Sequence, residues 1–104
     1  MAIETISENN ILAKALIDKF KMKTAVIGVV GLGYVGLPLA VENSKSGYSV
    51  IGFDVDQAKV DKINQGSNYI GDVNDKELAE VVSDKKLIAT SDYSLIRNVD
   101  AVVM

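Results

Sequence analysis

The fold is decided by Thr24-Ala-Val-Ile-Gly-Val-Val-Gly-Leu-Gly-Tyr-Val-Gly36, where a small apolar stretch runs straight into a glycine-rich turn. Thr24 to Val30 lack the alternation of a half-exposed strand and suit one covered on both faces, as in a parallel sheet. Gly31, Gly33 and Gly36 carry the spacing Gly-x-Gly-x-x-Gly, and Leu37 to Ser46 follow as a helix that Gly47 ends. Pro38 has no N–H to donate and is tolerated only in a first turn, so the helix must begin close before it.

The glycine spacing alone is weak evidence, but three contexts agree around it. A buried-type strand precedes it, a helix follows, and Asp54 ends the next strand roughly twenty residues on. Each residue has a physical task in a dinucleotide site. Gly31 permits the tight turn, Gly33 leaves room for a pyrophosphate against the backbone, and Gly36 lets helix and strand pack closely. The amides near Gly33, Tyr34 and Val35 fall at a helix N-terminus, where unpaired donors and the helix dipole favour an anion. A carboxylate at Asp54 suits the ribose hydroxyls of NAD and repels the 2′-phosphate of NADP. The competing reading is a glycine-rich turn that holds no ligand. Lys59 leaves two readings open, a contact with the adenosine end or a solvated helix lysine.

Working outward, Ser49 to Asp54 read as a second strand and Asp56 as the cap of a helix through Val60 and Ile63 that stops at Gly66. Ser67 to Val73 form a polar loop. Asn74 with Glu77 resembles a capping box, opening a helix with Leu78, Val81 and Val82 on its buried face. Leu87 to Thr90 are a third strand, Asp92 caps a short turn around Leu95 and Ile96, and Asp100 leads into a fourth strand, Ala-Val-Val-Met104. Upstream, Ser7 to Phe20 predict an amphipathic helix with Ile11, Leu12, Ala15, Leu16 and Phe20 on one face. Residues 1–22 are thus expected as a helix and lead-in, and 23–104 as an incomplete dinucleotide-binding domain. Alternating strands and helices predict an α/β, Rossmann-type parallel sheet with strand order 3-2-1-4 and right-handed crossovers.

Composition narrows the chemistry. The 104 residues contain neither cysteine nor histidine, which excludes from this stretch a disulfide framework, a zinc site, a thiol nucleophile and histidine acid–base catalysis. A net charge of −3 with no lysine or arginine cluster gives no footprint for nucleic acid. No apolar run approaches the roughly 20 residues of a membrane span, and the acidic N-terminus does not read as a signal peptide. A cytoplasmic location is expected.

Gly31-Leu-Gly-Tyr-Val-Gly-Leu-Pro-Leu-Ala40, with Gly52-Phe-Asp-Val-Asp56 and Lys59-Val60, resembles the UDP-glucose/GDP-mannose dehydrogenase family. The Tyr-Val-Gly-Leu-Pro run is far more specific than the glycines. Asn64-Gln-Gly66 and Tyr69-Ile-Gly-Asp-Val73 look most like the UDP-N-acetylglucosamine and UDP-N-acetylmannosamine 6-dehydrogenases. The resemblance covers roughly residues 11 to 104. It implies an NAD-dependent oxidation of a UDP-sugar's C6 alcohol to a carboxylate. On the matching positions it implies backbone contacts from Tyr34 and Val35 to the pyrophosphate, and contacts from Asp54 and Lys59 to the adenosine. The family's reaction proceeds through a thiol-bound intermediate on a cysteine, assisted by lysine, glutamate, asparagine and aspartate residues far downstream. Those residues, and the Val-Pro-Thr-Pro segment after the fourth strand, do not occur in these 104 residues.

The expectation is an NAD-binding portion of a nucleotide-sugar 6-dehydrogenase that is inactive by itself, meets its UDP-sugar only through residues outside this stretch, and self-associates through an exposed fourth strand. An alternative of another class is a stand-alone NAD-binding sensor or regulatory module. A further Rossmann dehydrogenase of the 6-phosphogluconate or hydroxyacyl-CoA type would share the fold but not the Tyr-Val-Gly-Leu-Pro run.

Overall fold

The computed structural model describes residues 16–18, 24–71 and 73–104. The helix expected over residues 7–20 lies outside them apart from residues 16–18, which are helical.

Four parallel strands, β1 (Val26–Val30), β2 (Ser49–Phe53), β3 (Leu87–Thr90) and β4 (Ala101–Val103), form one sheet in the expected order β3-β2-β1-β4. Between them run α1 (Gly36–Lys45), α2 (Gln57–Asn64), α3 (Asp75–Ser83) and a 3₁₀ turn over Tyr93–Asn98. The β1 register pairs Ile27 with Val50 and Gly28 with Ile51, and β2 carries Val50 on to Leu87. Residues two apart share a face. Ile27, Val29, Val50, Leu87 and Ala89 therefore meet Leu37, Ala40, Val41, Val60, Ile63, Leu78 and Val81 of the helices in a single buried cluster. On the opposite face Phe53 is fully buried and stacks obliquely on Tyr93, with ring centres 5.6 Å apart, while Ile88 and Val102 stay exposed.

The sequence signals for helix ends work as local chemistry. Asp56 accepts from the Ala58 amide at 3.0 Å, and Asp92 accepts from the Ser94 amide at 3.0 Å. Asn74 accepts from both Lys76 and Glu77 amides. The return half of the expected capping box is replaced, since the Glu77 carboxylate takes Lys45 Nζ at 2.9 Å and so ties α3 to α1. Strand ends also differ slightly from expectation. β1 begins at Val26 rather than Thr24, and Asp54 lies one residue beyond the end of β2.

The segment Ser67 to Val73 departs most from its polar appearance. Ile70 and Val73 are buried in the core, and Asn68 folds the loop by accepting from the Ile70 amide and donating to Val73 O. Asn64 performs a similar service at the sheet margin. Its amide donates to Ala89 O and accepts from Ala89 N, both at 2.9 Å, so that part of the outer edge of β3 is already paired.

Candidate functional site

The glycine turn leaves the carboxyl end of β1 and enters α1 within six residues. Gly31 starts it with φ +88°, a conformation that penalises side chains, while its N–H donates to Phe53 O at 2.8 Å. At Gly36 the constraint is contact. A Cβ there would lie 1.6 Å from Gly31 O, so the helix begins directly against the turn's own backbone. Gly33 is different again, because a Cβ at that position would meet nothing within 4 Å. Open space stands over the middle of the turn.

This geometry leaves donors unused. The N-cap position of α1 is Val35, which supplies no side-chain hydrogen bond, and the first paired helical amide is Leu37, on Gly33 O at 3.1 Å. Among the described residues the amides of Gly33, Tyr34 and Val35 have no acceptor. Tyr34 and Val35 are each 79% exposed, at the helix start. Beside them, between the ends of β1 and β4, lies a largely apolar cleft of about 410 Å³ reaching Val35, Leu39 and Val103.

Asp54 follows the end of β2, on the side of the glycine turn away from that cleft. It is 9% exposed, and its two oxygens accept separate amides, Leu32 N at 2.9 Å and Asp56 N at 2.9 Å. Burial pushes its carboxyl up, but the hydrogen bonds from Asp56 and Leu32 and the nearby Lys59 charge outweigh it and hold the group below the ordinary carboxylate value. Asp54 is therefore an anion built into the glycine turn. The sequence assigned it to the ribose, and that reading did not foresee the bond to Leu32. Lys59 is half-buried, with its ammonium 5.9 Å from the centre of the Tyr69 ring. Its charge also acts on the Asp54 carboxylate, so the ammonium lies between that anion and the Tyr69 ring.

Tyr69 is the site residue that sequence reasoning missed. Its hydroxyl donates to Leu32 O at 2.5 Å, reaching across from the loop between α2 and α3. Burial, with the charges of Asp54 and Asp56, pushes its phenol up to about 12, so it remains a donor at any neutral pH. The Leu32 side chain is fully buried, and a Cβ on Gly52 would come within 2.7 Å of it. Leu32 is thus held at its amide, its carbonyl and its side chain. In the sequence Tyr69 stood only as the first residue of the Tyr69-Ile-Gly-Asp-Val73 motif, behind an asparagine able to fold a loop, with no role assigned to its hydroxyl.

A second cleft, of about 430 Å³, opens between α1 and α3 at the opposite end of the sheet. It is slightly larger, yet Lys45 and Glu77 on its walls already pair with each other at 2.9 Å. Volume does not separate the two. The unpaired amides do.

The comparisons with known proteins agree with this geometry. A UDP-N-acetyl-D-mannosamine dehydrogenase of Pyrococcus horikoshii is 45% identical over 65 residues, covering 62% of this chain and 16% of that protein. A UDP-N-acetyl-D-glucosamine 6-dehydrogenase of Pseudomonas aeruginosa is 48% identical over 59 residues, covering 57% of this chain and 14% of its own length. The solved structure of a UDP-D-ManNAc dehydrogenase from Pyrococcus horikoshii superposes with a TM-score of 0.68 at 37% identity, over 74% of this chain and 19% of that one. The chain thus spans about a sixth of the length of the relatives it matches. The family model for the NAD-binding domain matches residues 25–104, starting later than the residue 11 expected from the motifs. With that match over most of its length, the chain belongs to the UDP-glucose/GDP-mannose dehydrogenase family and carries its NAD-binding domain.

Proposed function

We propose that this chain holds the adenosine and diphosphate of NAD for a UDP-sugar 6-dehydrogenase, a protein that oxidises the C6 alcohol of its sugar to a carboxylate. The observation that carries the reading is the run of unpaired amides at Gly33, Tyr34 and Val35 at the carboxyl end of a parallel sheet, where a Cβ on Gly33 would meet nothing within 4 Å. Gly31 makes the turn, and Gly36 brings the helix start against it. The Gly33, Tyr34 and Val35 amides receive the diphosphate. A carboxylate has about four acceptor positions, and Asp54 uses two of them on Leu32 and Asp56. The others accept ribose hydroxyls, and its charge repels a 2′-phosphate. Lys59 completes the adenosine side.

When bound, NAD supplies the hydride acceptor. The chain's own contribution is to orient it. With no cysteine in its 104 residues, thiol chemistry of the kind the family uses falls to residues elsewhere, and residues 23–104 act as a cofactor-holding unit that is inactive alone. The similarity to enzymes named for N-acetylated UDP-sugars supports a substrate of that class.

Assaying NADH formation by the parent protein tests the reading. Turnover with UDP-N-acetylated sugars is expected. Turnover with hydroxy acids or hydroxyacyl thioesters and with no UDP-sugar would refute it. For the cofactor itself, Asp54→Ala is expected to lose the preference for NAD over NADP. Unchanged discrimination in competitive binding would remove Asp54 from its assigned role.

A further inference from the structure

The Leu32 carbonyl and the Gly33 amide belong to one peptide group. Tyr69 donates its hydroxyl to that carbonyl at 2.5 Å, while the amide on the other end of the same peptide has no partner among the described residues, on a residue whose Cβ position is open space. A hydrogen bond accepted by a carbonyl draws electron density toward oxygen and makes the attached N–H a stronger donor, a cooperative gain of roughly 10–30% per bond. We propose that Tyr69 is a positioning residue of the dinucleotide site, fixing and polarising the Leu32–Gly33 peptide so that the Gly33 N–H is aimed and strengthened before the diphosphate arrives. The inference rests on the NAD reading above.

The supports of Tyr69 fit that task. The loop carrying it is anchored on both sides of the ring by Asn68 and by buried Ile70 and Val73, so the hydroxyl is delivered by packed structure. The peptide it grips is immobile from the other side too, through Asp54 on the Leu32 amide and the buried Leu32 side chain. A contact that only filled space would not need a hydroxyl here. The ring's other duty, beneath the Lys59 ammonium, depends on its face and survives loss of the oxygen.

Tyr69→Phe therefore separates the two duties. In the ¹⁵N-labelled protein, the Gly33 amide proton of the variant is expected to shift upfield, and NAD dissociation constants by equilibrium dialysis to rise three- to tenfold. In the parent enzyme the same change raises KM for NAD and leaves kcat in place. Asn74→Ala is the control for general loosening. It removes the α3 cap, lowers stability, and is expected to leave both the Gly33 resonance and NAD affinity unchanged. Loss of affinity without a Gly33 shift, a shift without loss of affinity, or a matching loss in the Asn74 control each overturns the proposal. A wild-type protein that fails to bind NAD overturns the reading of the site instead, and that failure is visible before any variant is made.

Discussion

Two kinds of helix start occur in this small domain, and they are built in opposite ways. At α2 and α3 the chain provides its own acceptor, with Asp56 on the Ala58 amide and Asn74 on the Lys76 and Glu77 amides. At α1 the N-cap position is Val35 and no side chain accepts. An isolated helix would be weakened by that omission, since a good N-cap contributes roughly 1 kcal/mol. Here the deficit coincides with the glycine turn and Gly33's empty approach, while Asp54 and Tyr69 hold Leu32 within the turn. Donors left unpaired at a helix start that is otherwise rigidly fixed are available to a ligand rather than to the fold. The same difference distinguishes the two clefts, one where Lys45 and Glu77 satisfy each other and one bordered by amides with no acceptor among the described residues.

The sharpest way to break the comparison is to remove the α1 start itself. Gly36→Ala places a methyl group 1.6 Å from Gly31 O, far inside any permissible contact. Because the carbonyl is backbone and a Cβ is fixed rigidly to the helix, relief requires moving the helix start away from the turn. We expect a loss of more than about 3 kcal/mol in denaturant unfolding, at or beyond the upper end of ordinary overpacking, and no measurable NAD binding. A variant of native stability would show that the turn has another conformation open to it.

Asp54→Asn tests the support behind the turn. An amide oxygen replaces one of two carboxylate acceptors, so either Leu32 N or Asp56 N must face an NH₂ group. A cost of about 2 kcal/mol is expected for a buried, charge-assisted bond lost in this way. The pH dependence has a definite sign. Asp54 is held below its ordinary value in the folded protein, so its stabilisation is complete above the unfolded value of about 3.9 and is lost as pH falls through the lower folded value. Acid unfolding of Asp54→Asn should therefore be shallower than that of the wild type. Asp92, whose bonds to Ser94 also lower its carboxyl, is common to both proteins and cancels in the difference. Parallel acid limbs would contradict the assignment.

What the sequence disclosed and what it hid divide along chain distance. The glycine turn, the caps at Asp56, Asn74 and Asp92, and the parallel strand order were legible, because each rests on a spacing of a few residues or on one regular alternation. The contacts that make the turn rigid were not. Asp54 reaches Leu32 across 22 positions, and Tyr69 reaches it across 37. Which loop folds back over a turn depends on the packed core beneath it, and Ile70 and Val73 looked like two apolar residues stranded in a polar segment. Gly52 was equally silent, since its small size matters only once Leu32 is seen lying against it. Asn64 belonged to the Asn64-Gln-Gly66 motif near a helix end, but nothing local announced that its side chain pairs with β3.

Gly33→Ala separates binding from folding. The position has open space and no positive φ, so stability should change by no more than about 0.5 kcal/mol. NAD affinity should nevertheless fall at least tenfold, about 1.4 kcal/mol, because the methyl group stands where the diphosphate must approach. Equal affinity in dialysis would show that the ligand does not pass over Gly33.

The smallest effect belongs to the capped helices, and it closes the comparison from the other side. Asp56→Ala leaves the Ala58 amide without its acceptor and is expected to cost about 1 kcal/mol or less in urea unfolding, the usual value for an exposed N-cap. NAD affinity should hardly change, because the Asp54 carboxylate takes the Asp56 backbone amide and that amide survives the substitution. If Asp56→Ala instead weakened NAD as strongly as Gly33→Ala does, the α2 start would be part of the site. The contrast between a helix that caps itself and one that leaves its donors for a ligand would then no longer distinguish the two regions.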